Sequence, residues 1–126
     1  MRLLALALCF LAGDALAKDF TKTARSGQST HMATYRSWGK DCSSRYGMVK
    51  VIAKPAHGTL RPSDVAATIG TSRRNPERTA HCKGAPTTGF RVDYTSSPGF
   101  RGIDTFTIEF TFGRNVDVDS YTVTVE

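Results

Sequence analysis

The chain has 126 residues, a formal net charge of +6 and 22% charged residues. That length holds one domain with a modest core, and no apolar segment is long enough to cross a bilayer as a helix. The basic balance favours anionic partners such as envelope polymers, lipid headgroups or acidic proteins.

The chain opens MRLLALALCFLAGDALAKDF. Arg2 supplies a positive start, Leu3 to Ala12 a short apolar run, and Ala15 and Ala17 the small residues of an A-x-A site. This pattern predicts a secretory signal peptide over 1–17, cleaved after Ala17, and a periplasmic or secreted location. Cys9 falls inside that segment, preceded by Leu8 where a lipoprotein anchor would want a small residue. The mature chain is then one domain over 18–126, with Cys42 and Cys82 as its only cysteines. In an exported protein an even pair predicts a disulfide. Closing a loop of about 40 residues contributes about 4 kcal/mol by chain entropy.

Lys18 to Ser29 is polar and small apart from Phe20, which suits an edge strand or a loose arm. "STHMATYRSW" alternates weakly and is a possible strand. "GKDCSSRYG" is a turn. "MVKVIAKP" is a clear strand, with Val49, Val51 and Ala53 on one face and Lys50, Ile52 and Lys54 on the other. Pro55 ends it, because proline cannot donate to a ladder. "HGTL" is a glycine turn into a short strand at Thr59 and Leu60.

From Arg61 to Thr88 the alternation is lost. The stretch holds Pro62, Gly70, Pro76, Gly84 and Pro86, and its larger apolar residues are Val65 and Ile69. It predicts a long, basic loop insertion with a short helical turn over Ser63 to Ala67, pinned at its far end by Cys82.

The remaining chain is strongly patterned. "GFRVDY" places Phe90, Val92 and Tyr94 on one face. "TFTIEFTF" does the same for Phe106, Ile108, Phe110 and Phe112, and "GRN" is a hairpin turn. Four such side chains, fully buried, contribute about 1.5–3 kcal/mol each, so this strand is expected at the centre of a sheet. In "VDVDSYTVTVE", Val116 and Val118 are out of register with Tyr121, Val123 and Val125, which predicts a bulge near Asp119 and Ser120. Short strands, turns between them and one disulfide together predict an all-β, antiparallel β-sandwich of about seven strands with one long loop insertion.

The stretches "PAHGTL", "GFRVDYTSSPGFRGIDTFTIEF" and "YTVTV" resemble the bacterial Ig-like or cadherin-like repeats of secreted proteins. The resemblance implies an Ig-like sandwich in which Gly58, Gly99 and Gly102 serve turns and Asp104 accepts backbone N–H bonds ahead of Thr105. Tyr94 is expected to turn its ring inward and bond nearby backbone through its hydroxyl. Two features depart from those repeats. The connection Arg61 to Gly89 is long and arginine-rich, and the chain has room for a single repeat.

Among candidate sites, Arg73, Arg74, Arg78 and Lys83 form a cationic group suited to carboxylate or phosphate, or simply a solvated loop. Trp38, with Tyr35 and Tyr46, flanks Cys42 as an aromatic contact patch or as packing around the disulfide. Asp104, Asp117 and Asp119 could suggest calcium, but no calcium-loop spacing is present, and no metal or cofactor is expected. His31, His57 and His81 lie in no recognised catalytic motif, and no catalytic residues are expected. Nucleic acid is not expected either, since no aromatics interleave with the arginines. The sequence therefore reads as an exported, non-enzymatic binding module. It would dock to an anionic envelope component or a protein partner through the basic loop. The alternative is a small inhibitor or immunity-type protein that blocks a partner enzyme.

Overall fold

The computed structural model describes residues 15–126. Of the expected signal peptide over 1–17, residues 1–14, with Cys9, lie outside the described residues. Seven strands run in chain order: β1 (Ala15–Ala24), β2 (Thr30–Tyr35), β3 (Met48–Ala53), β4 (Gly58–Thr68), β5 (Pro86–Ser96), β6 (Gly102–Phe112) and β7 (Asn115–Val125). They form two sheets, β1-β7-β6-β3 and β2-β5-β4. This is the order of an Ig-like sandwich, with β1 placed beside β7 in parallel. All other pairings are antiparallel. Ala15, Leu16 and Ala17 make the first rungs of β1 against Val116, Asp117 and Val118. Cleavage after Ala17 would trim those rungs and leave Lys18–Ala24 paired.

The core lies between the sheets. Met32, Tyr35, Val92, Tyr94, Phe106, Ile108, Phe110, Tyr121 and Val123 fill it, with Phe90, Phe112, Val49 and Leu60 packed around them. As the apolar alternation predicts, β6 is central and forms a hairpin with β7. Phe106 stacks between Tyr94 and Tyr121.

The corner before β6 is tied by Asp104, which is buried. It accepts hydrogen bonds from the Ala56, His57 and Thr105 N–H groups at 3.0, 3.1 and 3.0 Å. The Tyr94 hydroxyl donates to the same carboxylate at 2.7 Å, rather than to backbone. Gly99 has φ +83°, as its turn requires. Gly58 owes its identity to space instead: a Cβ there would stand 2.6 Å from the Tyr94 ring and 2.7 Å from the Thr95 carbonyl oxygen.

Three local expectations are corrected. First, β4 continues through Thr68, so the irregular insertion is only residues 69–85, with a short 3-10 turn at Ala80–Cys82. Second, Ser63 to Ala67 is strand, not helix. Pro62 is tolerated because β4 is an edge, pairing with β5 alone, and an edge strand has N–H positions that need no partner. Third, β7 pairs with β6 along its whole length without a bulge. Its inward face reads Asp117, Asp119, Tyr121, Val123, Val125, all buried. Two carboxylates occupy core positions, and Val116 and Val118 face outward.

Candidate functional site

Two irregular segments meet at one pole of the sandwich. The first is the β2–β3 connection, folded back on itself by a bridge between Trp38 and Ser44. The Arg45 N–H donates to the Ser37 carbonyl and the Cys42 N–H to the Gly39 carbonyl. Asp41 accepts from both the N–H and hydroxyl of Ser43. Those Ser43 hydrogen bonds hold the Asp41 carboxyl below its ordinary range. The second segment is residues 69–85. The Cys42–Cys82 disulfide joins the two, with the Cα atoms 5.2 Å apart. His81 Nε2 adds a contact of 2.7 Å to the Lys40 carbonyl oxygen.

The second segment is also pinned electrostatically. Asp119 is fully buried and receives Arg73 through both terminal nitrogens, at 2.9 and 2.8 Å. Asp117, 5% exposed, receives Arg74 at 2.7 Å. The forked Arg73–Asp119 pair suits arginine rather than lysine. Arg73 lies over the Phe20 ring and Arg74 over Phe112. The Tyr35 hydroxyl donates to Asp119 at 3.0 Å and lies 2.8 Å from the Tyr121 hydroxyl. The hydrogen bond to Asp119 raises the Arg73 pKa further. Burial pushes Tyr121 up to about 12 and raises Tyr35 as well.

Between the segments lies an open cleft of about 490 Å³. Its walls include Arg36, Trp38, Arg45 and Tyr46 from the first segment, Arg73 and Arg74 from the second, and Phe112 from β6. Arg36 donates to the Thr68 carbonyl. Arg45 sits over Gly39, where a Cβ would come within 2.4 Å of its Nη2. It makes no ion pair among the described residues. Trp38 Nε1 is buried without an acceptor among the described residues. Asp117 is the one carboxylate in the cleft wall and is already bound by Arg74, so the cleft is cationic. Its chemistry, forked donors beside the exposed Tyr46 and the half-buried Trp38, suits a carboxylate, phosphate or sulfate carried on a flat or ring-shaped group.

Of the residues singled out in the sequence, Trp38, Arg73 and Arg74 line this cleft. Arg78 and Lys83 are exposed elsewhere on residues 69–85. Tyr35 is core, while Tyr46 is 87% exposed on the cleft rim. Arg36 and Arg45 escaped sequence reading. Their signal was their position on either side of the Trp38–Ser44 fold-back, on a connection too polar to be core. The oxygens that suggested calcium are taken: arginines hold Asp117 and Asp119, and N–H and O–H donors hold Asp104. Cys42, His81 and Cys82 converge within 4.8 Å. With the disulfide formed, neither sulfur is the thiolate a metal requires. In comparisons with known proteins, the chain matches no family model, no curated protein and no solved structure.

Proposed function

We propose that this protein is an exported, non-enzymatic binding module whose polar cleft docks onto an anionic group of an envelope component or a protein partner. The observation that carries this reading is the cleft itself. Arg45 and Arg36 stand beside Trp38 and Tyr46, while Arg73 and Arg74 are already committed to Asp119 and Asp117. The basic charge balance and the single disulfide agree with an exported, anion-seeking domain.

The histidines favour binding over catalysis. His31 meets Thr34, His57 stacks on Phe100 at 4.1 Å, and His81 meets the Lys40 carbonyl. None of them meets a carboxylate or a cysteine thiolate among the described residues.

The test is retention of the purified protein on an isolated cell-envelope fraction across a salt series. Retention should fall steeply with salt and be lost in the Arg36→Gln/Arg45→Gln variant. It should persist in Arg78→Gln/Lys83→Gln, which lie off the cleft. Equal retention by both double variants would sink the proposal.

A further inference from the structure

The sandwich is open along one side. β3 pairs only with β6 and β4 only with β5, and no ladder joins β3 to β4. Between these two edges runs a groove of about 850 Å³. Its floor is Val49, Phe90 and Phe110, and Met48 (56% exposed) and Tyr46 stand on its lip.

The two edges are not equivalent. β4 is blunted by Pro62, which has no N–H to offer. β3 stays in regular register from Met48 to Val51, and its irregularity comes only between Val51 and Ala53. It therefore presents an ordinary row of unpaired N–H and C=O groups next to an apolar floor. The side chains that β3 itself carries have one sign, although Asp64 lines the far wall of the groove and Glu109 faces Lys50 on β6. Between Asp41 and Asp64 the sequence has no acidic residue, while Arg45, Lys50, Lys54 and Arg61 are basic. A second copy of the chain pairing β3 to β3 would set these charges against one another.

We infer that the Met48–Val51 edge accepts an extended, acidic segment of a partner protein as an added strand. Alternate apolar side chains of that segment would drop onto Val49, Phe90 and Phe110, and its acids would meet Lys50, Lys54 and Arg45. This deepens the binding-module reading by naming a partner chemistry. It uses a different surface from the polar cleft, although Tyr35, Ser37, Arg45, Tyr46 and Phe110 border both.

The experiment pans random twelve-residue peptides displayed on phage against the intact protein at low salt. The strongest binder is then synthesised for affinity and amide hydrogen-exchange measurements. The expected result is a selected pattern alternating apolar with Asp or Glu, and slowed exchange at the Met48–Val51 amides. N-methylation of alternate peptide nitrogens should abolish binding. Lys50→Glu/Lys54→Glu should weaken it roughly tenfold or more; both side chains are exposed, and because Lys50 faces Glu109 across the ladder the melting temperature should fall only slightly. The inference is overturned if no alternating acidic pattern emerges, if the slowed amides are those of the polar cleft, or if sedimentation shows β3-mediated self-association of the unmodified protein. Envelope retention and peptide capture are read on separate probes, so either reading can fail alone.

Discussion

Replacing Arg73 with methionine should destabilise the protein severely. Asp119 is 0% exposed and takes both Arg73 nitrogens, with the Tyr35 hydroxyl as its other donor. Removing one partner of a buried ion pair leaves an uncompensated charge, at a cost of about 3–5 kcal/mol. The Arg73 side chain is 32% exposed, so water can enter part of the space it leaves. That places the expected loss at the lower end, about 3 kcal/mol. For a domain of this size the loss corresponds to a melting temperature lower by about 10–15 °C. Urea unfolding with the disulfide intact measures it, and Trp38, the only tryptophan, serves as the optical probe. Arg73→Met/Asp119→Leu, which removes both charges, should recover most of the loss. A change below about 0.5 kcal/mol in Arg73→Met would class the pair with ordinary surface salt bridges and refute the reasoning. So would a double variant no more stable than the single one.

Asp104→Ala should cost about 3 kcal/mol, because it strands the buried Tyr94 hydroxyl and three N–H donors; Asp104→Asn should cost less, and equal losses would contradict this account. Reducing the disulfide should lower stability by about 4 kcal/mol by chain entropy; an unchanged melting point in reductant would refute that. The alkaline limb follows from the tyrosines: burial raises Tyr35, Tyr94 and Tyr121, the last to about 12. A raised folded pKa gives stability that is complete below the unfolded value near 10 and lost as pH rises toward the folded one, at up to about 1.4 kcal/mol per pH unit for each group. Melting temperature should therefore be level between about pH 7 and 9 and fall above about pH 10; a fall that begins well below this range would contradict the assignment.

β5 and β6 were legible because their large side chains alternate cleanly and face a single core. The Asp104 corner was legible from its turn motif, and the disulfide from the two cysteines, Cys42 and Cys82, that follow the expected cleavage site. The errors have one physical origin, which is that compensation came from far along the chain. Asp117 and Asp119 look like outward residues, and they sit inward only because Arg73 and Arg74, more than 40 positions upstream, reach them. Pro62 looks like a strand breaker until β4 is known to be an edge. Within the arginine-rich stretch, Arg73 and Arg74 serve the fold by holding Asp119 and Asp117. The cationic groups left to line the cleft, Arg36 and Arg45, come from the opposite wall, and no sequence pattern joins the two walls except the cysteine pair.

Trp38 gives the most direct test of the polar cleft, because it is the only tryptophan and lines that cleft. Its emission should be followed while the protein is titrated with solubilised anionic envelope polymer, at low and at high salt. The account predicts a saturable change in emission that high salt reverses and that Arg36→Gln/Arg45→Gln abolishes. Envelope binding that leaves Trp38 emission unchanged in the unmodified protein would contradict it.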